Sequence, residues 1–221
     1  MPVWRWGEPR EPLRRVLERG GIVALPTESS YGLGVDPLNP AAVEAVFRLK
    51  GRPAEKPLPV VLGSLGQLAG LGGDPAEPRL VELAAAWPAP LTVVVPLVRP
   101  IPAAPTGRLG IRIPGHPSLR RLLEGLGVPL TATSANLSGE APILDPEPLI
   151  ELLTGWDGLV IDDGELPGGE PSTVVELERA GLTILRRGSY PLARLSELVP
   201  DLPLRSRFSA ESAEMSADGS S

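Results

Sequence analysis

The sequence has no cysteine, which excludes a disulfide framework, a thiolate metal site and a cysteine nucleophile. It has one histidine, His116, so a site built from several imidazoles is excluded too. Aromatic residues make up 4% of the chain, too few for a base-stacking platform. No apolar run reaches the ~20 residues that a membrane-spanning helix needs. The opening residues Met1-Pro2-Val3-Trp4-Arg5-Trp6 lack the apolar core of a secretion signal. A basic excess is also missing: the formal net charge is -6, against a broad footprint on nucleic acid. Together these absences predict a cytoplasmic protein with no membrane partner.

The scarcest cation is lysine. The chain carries 19 arginines and two lysines, and both lysines lie in Lys50-Gly51-Arg52-Pro53-Ala54-Glu55-Lys56-Pro57. Where a generic surface cation is written as arginine, two lysines six residues apart point to what an ammonium does best: it is a compact, mobile charge that can follow a phosphate. Arg52 adds a planar fork suited to an oxyanion, and Pro53 and Pro57 keep the segment from being helical. A solvated turn holding three cations is the plainer alternative.

At 221 residues and 42% hydrophobic composition, the chain can bury a sizeable core. Helical patterns run from Glu11 to Arg19, from Asn39-Pro40 to Lys50, from Glu77 to Trp87, from Pro117 to Leu126, from Pro148 to Leu153 and from Leu192 to Val199. Strand patterns cover Ile22 to Leu25, Leu58 to Leu62, Leu91 to Val98, Leu109 to Ile113, Val128 to Ala132, Leu159 to Ile161, Thr173 to Val175 and Thr183 to Leu185. Residues 27–36 read as a polar, glycine-bearing loop just past a buried strand, where α/β sheets hold ligands. Helices and strands alternate without a linker. This predicts a single α/β domain over residues 1–200 with a twisted mixed sheet, and a disordered polar tail over 201–221 with no role in a site.

The familiar nucleotide motifs are missing: there is no P-loop and no dinucleotide fingerprint. A Gly-x-Ser-x-Gly elbow is also absent, and His116 reads as a loop or helix-start residue rather than a base. What remains is a distributed set of cations and hydroxyls. Lys50, Arg52 and Lys56 form one group, and Arg186-Arg187-Gly188 follows a strand. Arg112 lies mid-strand between two isoleucines, so it faces either solvent or an anionic ligand. The small-residue loop Ser134-Ala135-Asn136-Leu137-Ser138-Gly139 could cradle a phosphate or a sugar. Many donors without an evident nucleophile or base suggest phosphoryl or nucleotidyl transfer, in which the protein supplies positioning and charge.

Six blocks, in order, carry a resemblance: Leu25-Pro26-Thr27-Glu28-Ser29-Ser30-Tyr31-Gly32-Leu33-Gly34; Lys50-Gly51-Arg52-Pro53 with Lys56-Pro57-Leu58; Trp87-Pro88-Ala89-Pro90-Leu91-Thr92; Ile111-Arg112-Ile113-Pro114 with His116-Pro117; Ser134-Ala135-Asn136-Leu137-Ser138-Gly139; and Pro171-Ser172-Thr173 with Leu185-Arg186-Arg187-Gly188. In this the chain resembles the YrdC/Sua5 family of threonylcarbamoyl-AMP synthases, in the single-domain form. The resemblance implies a twisted α/β fold with a concave, positively lined cavity. The implied reaction joins L-threonine, bicarbonate or CO2, and ATP with Mg²⁺, giving threonylcarbamoyl-AMP and pyrophosphate. The product serves N6-threonylcarbamoyladenosine formation at tRNA position 37, with tRNA or a threonylcarbamoyl-transferase complex as further partners.

The resemblance also implies roles. Lys50 and Arg52 would be catalytic and, with Lys56, hold the triphosphate. Ser134, Asn136 and Arg186 would contact the nucleotide, while Thr27, Arg112 and Ser172 would contact threonine. Tyr31 would wall the cavity or pack. No side chain is picked out as a metal ligand. Two positions depart from the family pattern: Ser30 replaces a β-branched residue, and Val61 stands where many members carry histidine. A non-enzymatic RNA-binding module of the same fold is the alternative, and the acidity and scarce aromatics count against it. A carbamoyl-phosphate-using activity is a further alternative, but its chains carry zinc-finger and acyl-phosphatase-like regions that are missing here.

Overall fold

The apolar run after Gly20-Gly21 forms strand β2 (Ile22–Pro26), and its continuity has a physical cause. Ile22 and Ala24 face one hydrophobic core, whereas Val23 and Leu25 face another. A strand buried on both faces cannot alternate with polar residues. The computed structural model describes residues 1–51, 56–137 and 140–207.

Two mixed sheets result, where one was expected. The first joins β1 (Val3–Arg5), β9 (Gly158–Asp162), β2, β3 (Tyr31–Gly34) and β8 (Thr133–Ser134) in that order. The second runs β12 (Leu204–Ser206), β11 (Gly181–Arg186), β10 (Thr173–Glu178), β5 (Leu91–Pro96), β6 (Arg108–Arg112), β4 (Val60–Val61) and β7 (Leu130–Thr131). Within it β10 lies parallel to β5, and β5 antiparallel to β6. Helices α1 (Glu11–Glu18) and α4 (Pro117–Leu126) bury their leucines in the smaller core. Helices α2 (Pro40–Lys50), α3 (Pro78–Ala84), α5 (Glu147–Leu152) and α6 (Leu192–Leu198) cover the larger one.

Helix α2 places Lys50. The Asn39 side chain accepts from the Ala41 and Ala42 amides at 3.1 and 3.2 Å, and Pro40 follows at the first helical position. Gly51 ends the helix at φ +57°, a left-handed turn that favours glycine. Lys50 is thus the last residue of a well-started helix.

Four further expectations need correction. Residues 31–34 are a strand, not loop, because Gly32 and Gly34 permit close packing. A Cβ on Gly34 would lie 2.4 Å from Leu25 Cδ2. Strand β1 was not anticipated. The Leu58–Leu62 and Val128–Ala132 patterns shrink to two-residue strands. Residues 204–206 of the expected tail are sheet: Leu182 and Ile184 of β11 pair in parallel with Leu204 and Ser206. The rest of the expected tail, 208–221, lies outside the described residues.

Candidate active site

Strands β10, β5 and β6 lie side by side, and period-2 alternation gives them one core face and one open face. Leu109, Ile111, Val93, Val95 and Val175 enter the larger core. Arg108, Gly110, Arg112, Thr92, Val94, Val174 and Glu176 line a cavity of about 700 Å³ instead. The opposite wall comes from the first sheet and its loops: Thr27, Tyr31 and Gly32, then Ser134 and Asn136. Leu185, Arg186 and Arg207 complete the lining from the β11–β12 side.

Arg112 has 12% of its side chain exposed, and its Nη1 donates to Glu28 Oε1. The sequence reading placed Arg112 toward solvent or a ligand, and the structure adds an internal partner from the loop after β2. Burial lowers the Arg112 pKa, and the Glu28 carboxylate opposes part of that shift. Glu28 Oε2 is buried and lacks a hydrogen-bond partner among the described residues.

Arg186 donates through Nε and Nη2 to the Ser172 carbonyl at 3.2 and 2.8 Å, and through Nη2 to Ser172 Oγ at 3.2 Å. Ser172 Oγ is in turn 2.8 Å from Thr92 Oγ1. The Arg186 pKa is lowered first by desolvation and then by the charge of Arg112. Two guanidiniums that repel each other across one cavity favour an anion between them.

Thr27 is buried, and its hydroxyl shapes the loop. Oγ1 donates to the Ser30 carbonyl at 2.7 Å and accepts from the Ser29 and Ser30 amides, both at 3.4 Å. Tyr31 turns out to be both packing and wall. It is fully buried, its Oη donates to the Gly164 carbonyl at 2.9 Å, and it accepts from the Asp163 amide at 3.1 Å. Burial pushes its hydroxyl up to about 12. Asn136 Nδ2 donates to the Leu137 and Glu140 carbonyls, while its Oδ1 is buried without a partner among the described residues. Val61 contributes an apolar patch to the lining.

Lys50 and Lys56 are not among the residues that line the cavity. Lys50 is buried and is not among the lining residues. Its Nζ donates to the carbonyls of Ser134 and Asn136, so it lies behind the loop that faces the cavity. Lys56 is exposed and also outside the lining. Arg52 lies outside the described residues. Thr27, Arg112, Ser134, Asn136, Ser172 and Arg186 are brought together in one cavity.

Sequence reasoning missed Thr92, Arg108, Glu176 and Arg207. Arg108 pairs with Glu176 at 2.6 Å, and its Nε is buried without a partner among the described residues. It is two alternations from Arg112, but the expected strand began at Leu109 and left it out. Arg207 was set aside with the tail. His116 caps α4: its Nδ1 accepts from the Leu119 amide at 3.1 Å, so Nε2 carries the proton that faces Asp163 at 2.9 Å. Among the described residues no group of three or more His, Cys, Asp or Glu could hold a metal ion, and no helix is long and apolar enough to cross a membrane.

Chemically, the cavity suits an elongated anion with hydroxyl and amide groups. It offers forks, hydroxyls and backbone groups rather than a nucleophile–base pair. Residues 15–188 match the Sua5/YciO/YrdC family model, described as telomere recombination. A Pyrococcus abyssi protein named threonylcarbamoyl-AMP synthase is 34% identical over 84% of this chain. The chain spans 56% of that relative's length. A Xanthomonas euvesicatoria protein of the same name is 39% identical over 75% of this chain and 90% of its own length. The solved structure of P. abyssi Sua5 complexed with L-threonine superposes with a TM-score of 0.77 at 31% identity, covering 92% of this chain and 62% of that one. Escherichia coli YciO, at 24% identity and a TM-score of 0.70, shares the fold. With the match running from α1 to the residues just past β11, the chain belongs to the Sua5/YciO/YrdC family.

Proposed function

We propose that the chain is a threonylcarbamoyl-AMP synthase. The observation that carries this reading is the pair of guanidiniums, Arg112 and Arg186, facing one cavity whose other walls are hydroxyls and a small-residue loop. Relatives 34% and 39% identical bear that name, and one similar solved structure holds L-threonine.

The threonine amine takes up CO2 and releases a proton to become a carbamate; where bicarbonate is the source, its hydroxide leaves with that proton as water. A carbamate oxygen then attacks the α-phosphorus of ATP. The bond from that phosphorus to the bridging oxygen breaks, and pyrophosphate leaves with the electron pair. ATP would enter as its Mg²⁺ complex, the metal offsetting part of the phosphate charge, with no side chain of this chain assigned to hold it. Arg112 holds the threonine carboxylate with a fork set on a strand, and Thr27 and Ser172 frame the amino acid. Ser134, Asn136 and Arg186 hold the nucleotide. Arg52 and Lys56 are assigned to the triphosphate by their motif alone. The reaction needs alignment and charge stabilisation more than proton transfer by the protein. The product then goes to a transferase acting on adenosine 37 of tRNA in the cytoplasm.

The test is mass spectrometry of the product from ATP, threonine and ¹³C-bicarbonate. Labelled threonylcarbamoyl-AMP is expected. Pyrophosphate release that is indifferent to threonine would overturn the reading.

A further inference from the structure

We propose that Lys50 is a positioning residue that works through the backbone of residues 134–137, and that this loop, not the ammonium, meets the phosphates. The proposal rests on the synthase reading and concerns how the same cavity takes its nucleotide.

Three observations carry it. Lys50 is 5% exposed and is not a lining residue, whereas Ser134 and Asn136 both line the cavity. Seen from the cavity, the ammonium therefore lies behind the loop. Its Nζ donates to the carbonyls of both residues. In a trans peptide the carbonyl and the following N–H point in opposite directions. Drawing the Asn136 carbonyl toward Lys50 therefore turns the Leu137 amide away from the cation. The Ala135 amide, after the other anchored carbonyl, is taken by the Tyr31 carbonyl at 2.9 Å, so the loop is fixed to β3 as well.

The result is a loop held from two directions with its carbonyls gathered on the cation. With those two carbonyls turned to the cation, the Ser134 hydroxyl and the Asn136 backbone N–H are left for the cavity that both residues line, donors that suit an oxyanion. The Lys50 charge also lies behind those peptide dipoles in a water-poor setting, where it favours an anion on the far side. Arginine cannot substitute well: a planar guanidinium is bulkier than an ammonium with three donors set around one atom. An ammonium shared by two backbone carbonyls is a physical reason for one of only two lysines in this arginine-rich chain.

That scarcity also makes the test clean. With ¹⁵N-lysine the 221-residue chain gives two Nζ signals, from Lys50 and Lys56. The Lys50 signal is expected to be sharp because its ammonium is buried and hydrogen-bonded. On adding the non-hydrolysable analogue AMP-PNP with Mg²⁺, it should stay sharp, with no coupling to ³¹P. In parallel, Lys50→Met should raise KM for ATP at least tenfold while changing KM for threonine less than threefold, and Lys50→Arg should not rescue it. A ³¹P coupling at Lys50 Nζ would overturn the proposal, as would unchanged ATP kinetics in Lys50→Met. Because the resonance test uses the wild-type chain, misfolding of a variant does not disarm it. If wild-type protein forms threonylcarbamoyl-AMP yet Lys50 couples to phosphate, only this inference falls. If wild-type protein forms none, the synthase reading falls.

Discussion

Strands β2 and β6 are both interior strands of their sheets, yet they are used differently. Every residue of β2 is buried, and its two faces feed two cores. β6 alternates: Leu109 and Ile111 are wholly buried, while Arg108, Gly110 and Arg112 face the cavity. One strand secures the fold on both sides, and the other gives one side to chemistry. A charge in an otherwise apolar strand is a place to look for function, since without a partner its burial would be costly.

Substitutions should separate the two strands cleanly. Arg112→Ala should lower kcat/KM for threonine by roughly 100-fold or more, on the order of 3 kcal/mol, measured by product formation. Arg112→Lys keeps a charge opposite Glu28 but loses the fork, and should act mainly on KM for threonine. The matching change on β2, Leu25→Ala, should cost about 3 kcal/mol of stability in denaturant unfolding while leaving KM values near wild type. An Arg112 variant that lost only stability, or a Leu25 variant that lost only turnover, would break the contrast.

Next to β2, Tyr31 sharpens it through pH. Its hydroxyl is pushed up to about 12 in the folded protein, against about 10 when unfolded. The unfolded chain therefore ionises first. Stability held below pH 10 should fall by about 2 to 3 kcal/mol as the pH rises from about 10 to 12. Tyr31→Phe should flatten that slope, read from unfolding midpoints across the range. The smallest effect belongs to Arg15→Ala, on the exposed side of α1. It removes an exposed ion pair with Glu11 at 3.0 Å and should change stability by less than about 0.5 kcal/mol.

Periodicity and caps were legible. Asn39-Pro40 announced α2, and α4 runs from Pro117 to Leu126 as its apolar spacing predicts. The glycine-bearing β3 was illegible because its reason is tertiary: a side chain at Gly32 or Gly34 would meet Thr133 O or Leu25, and no local pattern shows that. The site was legible where motifs carried it, at Thr27, Arg112, Ser134, Asn136, Ser172 and Arg186. Arg108 had a readable signal, since Arg108-Leu109-Gly110-Ile111-Arg112 alternates throughout. Thr92 closed one of the six motif blocks without a role attached to it, and Glu176 had no signal, being an ordinary strand residue until the strands are laid side by side. Lys50 shows the limit best. Composition singled it out, but only the third dimension shows that it reaches the cavity through another segment's carbonyls.

β12 ends one residue before Arg207, a lining residue. Trimming the polar C-terminus back to residue 203 would therefore strip a side chain from the cavity and bare the edge of β11 in the same cut. A shortened chain should be ended after Arg207, because a tag or fusion joined any earlier would report on a protein with a different pocket.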